Sequence, residues 1–277
     1  MALAITEEHR ALADVARSLA QALKLRRATR AAWDDPAAGP GDAWKAIAGQ
    51  GWTGLAVPEE YGGSGYGLPE LAVVVEQLGA NLVPGPFVST AAAAAVLAAL
   101  APEQVRREFL PGLADGSLIG AVDTGSRPRA ANTPANPVPG AAWAQVLIVR
   151  DGADLLVVRA QDASVEPVTG ADPSLGMARV SADGGTRLPG AAAAGLRLVR
   201  AIVAAEAAGG ARQALEDALA YAKVREQFGR IIGGFQAVKH HLATMLVEAE
   251  CATAAAWDAA RAATAQGPEG EIGRAHV

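Results

Sequence analysis

Residues Ala220–Gln236 read AYAKVREQFGRIIGGFQ and carry the most informative pattern in the chain. Before this stretch, apolar residues follow a helical period over roughly Leu196–Phe228, with Gly209-Gly210 as an interruption. The glycines within Gly229–Gly234 predict a turn. A second helical pattern then covers about Phe235–Gln266. The stretch therefore predicts two long helices joined by a short turn.

The first hundred residues are predicted to be helical. Thr6 is a candidate N-cap for a first amphipathic helix that reaches Leu23. The loop Val57–Gly67 holds five glycines or prolines among polar residues, which predicts an ordered loop with positive φ values. Apolar spacing predicts the other helices of this part, which are Asp42–Gly51, a helix that starts at Pro69, Ser89–Leu100 and Glu103–Leu110.

The pattern changes near Leu118 to short apolar runs separated by Gly, Pro, Asp and Asn, which is typical of strands. Ser126–Gly140 contains four prolines and is predicted to be a loop. Because helices and strands are segregated along the chain, we expect a multidomain α and β protein. Its predicted domains are 1–115, helical; 116–190, β; and 191–277, helical. The predicted strands are Leu118–Val122, Val146–Val149, Leu155–Val158 and Val165–Val168.

Composition excludes several classes of protein. The 277 residues are 51% hydrophobic, which is enough for a substantial core. The net charge of −5 is scattered and leaves no basic stripe, so we expect no nucleic-acid partner. No apolar run is long enough for a membrane span. Cys251 is the only cysteine, which favours a reducing, cytoplasmic location and a small core role for this side chain.

Arg225 and the following Phe-Gly turn, which leads into a helix opened by Gln236, resemble the FAD-binding signature of acyl-CoA dehydrogenases. The segment Val57–Gly63, VPEEYGG, is similar to a loop of the same family. The order helix, sheet, helix also matches along essentially the whole chain. This resemblance implies an N-terminal all-α domain, a small middle β-barrel domain and a C-terminal helical bundle that is incomplete here.

The resemblance implies FAD as cofactor, bound mainly by a neighbouring subunit, with Arg225 on its pyrophosphate. A guanidinium suits this role because it is permanently charged and matches phosphate oxygens bidentately. Arg225 is otherwise a solvated cation at a helix C-terminus, while Phe228 and Ile232 also fit plain core positions. The other residues implied to line the dinucleotide are Gln227, Phe228, Ile232, Phe235 and Gln236.

The implied activity is α,β-dehydrogenation of an acyl-CoA thioester, with hydride transfer to FAD and an electron-transferring flavoprotein as acceptor. The implied assembly is a homo-oligomer or a hetero-oligomer with a related subunit. The catalytic base is left unassigned, because the early family position for a glutamate is Val199 and the nearest carboxylate is Glu206. The alternatives are a non-catalytic subunit that completes an FAD site, an inactive fragment, another flavin chemistry on this fold, or a flavin-free helical protein.

The sequence also departs from the family pattern. Ala121–Pro128 only loosely matches the family's flavin-contacting segment in the β domain, and Trp143 does not align with its flavin-flanking tryptophan. His240 and His241 are adjacent, which is poor geometry for a shared metal, so no metal site is predicted. Glu271–Val277 matches one reading frame of a sequencing adapter, which leads us to expect a truncated chain.

Overall fold

A computed structural model of the protein describes residues 6–35, 39–125 and 136–264. Within these residues six α-helices precede the β region, and the predicted cap of the first is confirmed: the Thr6 hydroxyl accepts from the His9 N–H at 3.2 Å. The helix α2 was not predicted from the sequence. The six helices are α1 (Glu7–Ala22), α2 (Leu25–Asp34), α3 (Gly41–Ala48), α4 (Leu68–Ala80), α5 (Phe87–Leu100) and α6 (Glu103–Ala114).

The described residues in the middle of the chain form two sheets. A four-stranded sheet has the order β1-β3-β4-β7, with β1 parallel to β3 and the other pairs antiparallel, and a three-stranded sheet has the order β2-β6-β5. The strands are β1 (Gly120–Val122), β2 (Pro137–Val138), β3 (Val146–Asp151), β4 (Asp154–Arg159), β5 (Ser164–Pro167), β6 (Ala178–Ser181) and β7 (Thr186–Leu188).

Three of these strands correct the sequence analysis. β2 lies inside the predicted loop Ser126–Gly140, because Pro137 and Val138 pair with β6 at the end of that stretch. β6 and β7 were missed, since strands of four and three residues leave little periodicity to detect. The segment 126–135, which includes part of the Ala121–Pro128 match, lies outside the described residues.

Two long helices, α7 (Ala192–Val224) and α8 (Gln236–Thr264), complete the described structure. The order helices, sheets, helices confirms the predicted fold class, whereas the domain boundaries at 115/116 and 190/191 stay predictions. The predicted end of α8 near Gln266 and the adapter-like Glu271–Val277 lie outside the described residues. No helix in the described part of the chain has the length and apolar character that crossing a bilayer requires.

The predicted interruption at Gly209-Gly210 is wrong, because α7 runs through both glycines. A Cβ at Gly209 would lie 1.9 Å from the Glu76 carbonyl oxygen, and one at Gly79 would lie 2.3 Å from the Glu206 carbonyl oxygen. The main chains of α4 and α7 therefore touch at this crossing. Gly209 allows that approach and does not end the helix.

A buried carboxylate joins α4 to both long helices. The Glu76 side chain accepts a hydrogen bond from the Trp257 indole N–H at 2.9 Å. Arg212 lies 3.7 Å from the same carboxylate and pairs with Glu250 of α8 at 3.2 Å. Because a buried charge needs partners, this network fixes the relative positions of α4, α7 and α8.

Candidate functional site

The predicted FAD-binding residues lie on a small hairpin between the two long helices. After α7 ends, Glu226–Gln227 (β8) pairs antiparallel with Arg230–Ile231 (β9). The two turn residues, Phe228 and Gly229, have φ values of 55° and 75°. Positive φ at both central positions is the pattern of the tight turns that suit two-residue hairpins. We call residues 225–236 the hairpin segment.

The register of this hairpin decides which side chains share a face. Gln227 lies directly opposite Arg230, so both point to one side, and Glu226 with Ile231 points to the other. Arg225 is two residues before Gln227 in extended backbone and therefore joins the Gln227 side. Ile232 lies opposite Arg225 and donates its N–H to the Arg225 carbonyl at 2.8 Å. Arg225, Gln227 and Arg230 form what we call the cationic face.

The aromatic residues of the hairpin segment cluster beside this face. The rings of Phe228 and Phe235 meet edge to face with centroids 6.2 Å apart. The Arg230 guanidinium carbon lies 4.0 Å from the centre of the Phe235 ring. Phe228 is 93% exposed, so it is not a core residue of this chain. Ile232 and Phe235 are partly buried, and Gln236 is exposed.

The cationic face carries charge that could hold the diphosphate end of a dinucleotide. Arg225 and Arg230 are both exposed, and neither forms an ion pair with any residue that the structure describes. Their charge is therefore available to an anionic ligand. Both roles considered for Arg225, phosphate ligand and solvated helix-end cation, are compatible with this exposure.

A polar cavity of about 550 Å³ between α1, α4 and α7 is less suited to a diphosphate. Its two guanidinium groups are already paired: Arg17 with Asp14 at 3.0 Å, and Arg212 with Glu76 and Glu250. An incoming anion would have to displace those carboxylates or lie close to them. The hairpin segment therefore remains the better candidate site.

Val199 and Glu206, the two positions considered for a catalytic base, both lie on α7. Val199 is buried and cannot accept a proton. Glu206 follows seven residues later, which is about 10 Å along a helix. Burial, and to a lesser extent the nearby Asp172 carboxylate, together raise the pKa of the Glu206 carboxyl to about 7. Glu206 is thus a carboxyl group that exchanges its proton near neutral pH.

The loop Val57–Gly67 is ordered and has the predicted positive φ values, at Gly62 and Gly65. The Tyr61 hydroxyl donates to the Glu103 carboxylate at 2.5 Å, which fixes the loop to the start of α6. This hydrogen bond lowers the pKa of Glu103 and raises that of Tyr61. A Cβ at Gly63 would lie 2.1 Å from the Val57 carbonyl oxygen, so the loop closes tightly on itself.

The other residues singled out from the sequence, which are Trp143, Cys251 and the pair His240 and His241, lie in the following positions. Trp143 packs against Gly176, where an added Cβ would lie 2.6 Å from the indole ring. Cys251 is exposed on α8, so its predicted core position is wrong. The alanine-rich sequence around it gave no indication of which side of α8 faces the core. His240 and His241 are also exposed on α8.

Two family models match the chain. The acyl-CoA dehydrogenase N-terminal domain covers residues 6–117, and the acyl-CoA dehydrogenase C-terminal domain covers residues 190–276. Acyl-CoA dehydrogenase FadE34 of Mycobacterium tuberculosis (strain ATCC 25618 / H37Rv) is 39% identical over 277 residues, an alignment that spans 95% of this chain and 38% of FadE34. The chain thus corresponds to less than half the length of that relative.

A second relative and a solved structure match over a larger share of their own length. Acyl-CoA dehydrogenase IpdE2 of Mycolicibacterium smegmatis (strain ATCC 700084 / mc(2)155) is 33% identical, and the alignment spans 92% of this chain and 77% of IpdE2. The structure of a Tcur3481-Tcur3483 steroid ACAD variant is 30% identical with a TM-score of 0.82, covering 93% and 78% of the two chains. Since both family domains match in order and the fold agrees, the chain belongs to the acyl-CoA dehydrogenase family.

Proposed function

We propose that this chain is a subunit of an FAD-dependent acyl-CoA dehydrogenase that oxidises the α,β-bond of an acyl-CoA thioester. The observation that carries the proposal is the cationic face of the hairpin segment, where Arg225 is exposed and free of ion pairs within the described structure. FAD, when bound, accepts the β-hydrogen of the substrate as hydride. The contribution of this chain's own residues is to hold and orient the dinucleotide.

In this proposal Arg225 binds the diphosphate through its planar guanidinium. Gln227 and Gln236 supply hydrogen-bond donors and acceptors to the rest of the dinucleotide. Phe228, Ile232 and Phe235 supply apolar contact. Because Phe228 is 93% exposed, its ring has no packing partner in the core of this chain. This exposure supports an oligomer in which the hairpin segment reaches a nucleotide held mainly by another subunit.

A second candidate function is favoured by Val199. The buried valine leaves the early family position without a carboxylate, so this chain would complete the FAD site of a related subunit that carries the base. The resemblance to the Tcur3481-Tcur3483 steroid ACAD, named for two components, supports a hetero-oligomer. It also makes a steroid-derived acyl-CoA the first substrate to assay. An electron-transferring flavoprotein as acceptor and a cytoplasmic location stay predictions.

Absorbance spectroscopy separates the two candidates. The purified chain is examined alone and after co-expression with an acyl-CoA dehydrogenase subunit encoded beside it. A flavin spectrum and acyl-CoA oxidation by the chain alone support the first candidate. Flavin that is retained only with the partner supports the second. The absence of flavin in both preparations overturns both.

The role of Arg225 is tested by Arg225→Gln in the preparation that binds flavin. We expect at least a tenfold loss of FAD affinity, because a hydrogen bond to a charged group is worth about 1.5–3 kcal/mol. Arg200→Gln, which removes an exposed guanidinium at the other end of α7, is the matched control and leaves affinity unchanged. Equal affinity in both variants contradicts the assignment of Arg225.

A further inference from the structure

Arg230 shares the cationic face with Arg225, and no role has been assigned to it so far. The hairpin register places Arg230 directly opposite Gln227, and Gln227 is two residues from Arg225 on the same strand. Arg230 is exposed, and within the described residues it pairs with no carboxylate. The face therefore presents two uncompensated positive charges.

The guanidinium of Arg230 is already held in place. Its Cζ atom lies over the Phe235 ring, 4.0 Å from the ring centre, and an aromatic face attracts a cation through its quadrupole. No carboxylate of the described residues pairs with the guanidinium, so its N–H groups remain available to donate to a ligand. The positive φ values of Phe228 and Gly229 fix the hairpin that brings Arg230 back toward Arg225.

The charge of the neighbouring residues supports an anionic ligand on this face. The single carboxylate within the hairpin segment, Glu226, points to the opposite side, since it pairs with Ile231 in the register. A diphosphate carries two negative charges near neutral pH, one on each phosphate. One guanidinium neutralises one phosphate bidentately, so the second phosphate calls for a second donor.

We propose that Arg230 is a second cationic ligand of the FAD diphosphate, with Phe235 as the residue that positions it. This inference rests on the proposed function, because it assumes that FAD binds to the hairpin segment. It goes beyond that function by assigning the two phosphates to two different arginines. It also gives Phe235 a role in positioning a charge in addition to apolar contact with the dinucleotide.

The test measures binding, so it does not depend on turnover. FAD is titrated into the apoprotein of the flavin-binding preparation, with ADP and adenosine as competitors. For Arg230→Gln we expect FAD and ADP affinity to fall about 10- to 100-fold, because one charged hydrogen-bonding group is lost. Adenosine affinity stays unchanged, since adenosine has no phosphate.

Two conservative variants separate charge from structure. Arg230→Lys keeps the charge but loses the planar donor edge, so we expect affinity between those of the native protein and Arg230→Gln. Phe235→Leu keeps apolar volume but removes the aromatic ring beside the guanidinium, and we expect a smaller loss of FAD affinity. The salt dependence of FAD affinity also becomes weaker in Arg230→Gln but not in Phe235→Leu.

The outcomes distinguish this inference from the proposed function. If Arg230→Gln binds FAD and ADP like the native protein while Arg225→Gln loses them, the second ligand is refuted and the proposed function stands. If neither variant changes FAD affinity, both the proposed function and the role of Arg230 are refuted. If adenosine affinity falls along with that of ADP, Arg230 acts through the shape of the site, and its assignment as a phosphate ligand is overturned.

Discussion

Glu206 makes the stability of this fold depend on pH in the direction opposite to that of most carboxylates. Its side chain is desolvated where α7 packs on α4, and its pKa rises from 4.5 to about 7. The unfolded chain releases this proton near pH 4.5, whereas the folded chain keeps it until about pH 7. Because the folded state binds more protons in this window, its stability falls as pH rises.

The size of the effect follows from the pKa. One pKa unit corresponds to about 1.4 kcal/mol, so a rise from 4.5 to about 7 lowers the free energy of unfolding by about 3 kcal/mol above pH 7. Below pH 4.5 this penalty is absent. Glu206→Gln keeps the shape of the protonated acid but cannot ionise. We therefore expect it to be about 3 kcal/mol more stable than the native protein at pH 8 and nearly equal at pH 4.5.

Urea unfolding at pH 4.5 and pH 8 measures this difference. With an m-value near 3 kcal/mol/M, the midpoint at pH 8 should rise by about 1 M urea. Glu216→Gln, which alters an exposed carboxylate on the same helix, is the control and should shift the midpoint little at either pH. Asp172→Asn should lower the pKa of Glu206, because Asp172 is the neighbouring charge that raises it.

Two results would refute the reasoning. If Glu206→Gln changes stability equally at both pH values, the effect comes from packing and not from ionisation. If the variant is less stable than the native protein at pH 8, the ionised carboxylate has a stabilising partner. In that case the desolvation argument for Glu206 fails.

Gly209→Ala should lower the free energy of unfolding by about 1–3 kcal/mol, because its Cβ would collide with the main chain of α4. In Gly210→Ala the added Cβ meets no atom within 4 Å, so the free energy of unfolding should rise by up to about 1 kcal/mol. Urea unfolding of the two variants measures both changes, and equal changes would contradict the close contact at Gly209. Trp257→Phe removes the hydrogen-bond donor to buried Glu76 and should lower the free energy of unfolding by about 1.5–3 kcal/mol in the same assay. Unchanged stability would show that this hydrogen bond does not stabilise the fold. Phe228→Gly places glycine at a positive φ, so the free energy of unfolding should stay level or rise. FAD affinity should fall because the aromatic contact is lost, and unchanged affinity would show that Phe228 does not contact FAD.

The parts of the fold that repeat a period over many residues were predictable, and the parts set by a single contact were not. The apolar spacing of α1 and α4 extends over three turns or more, so their existence follows from the sequence. Continuity of α7 through Gly209 depends on the main chain of α4, which no local pattern encodes. α2 was missed because left-handed backbone at Lys24 separates it from α1, and only Leu25 and Thr29 of this helix are buried.

The residues of the candidate site also fall into a group that the sequence predicts and a group that depends on the fold. Arg225 and the neighbouring residues of the signature are local in sequence, so a resemblance alone named them. Arg230 could not be assigned from sequence, because its side depends on the pairing of Gln227 with Arg230. A shift of that register by one residue would send Arg230 to the opposite face. The positive φ at Phe228 is therefore part of what places the second charge, although Phe228 itself carries none.

The position of the hairpin segment is set well away from the hairpin itself. Gly209 lies fifteen residues before the end of α7, which is about 22 Å of rigid helix. Near Gly209, α7 is fixed by main-chain contact with α4 and by the pairing of Glu76 with Arg212. A change of a few degrees in that crossing would move Arg225 by about 1 Å, enough to spoil bidentate phosphate geometry. The position of the cationic face therefore depends on the close packing of α4 and α7, which the small residues at their crossing allow.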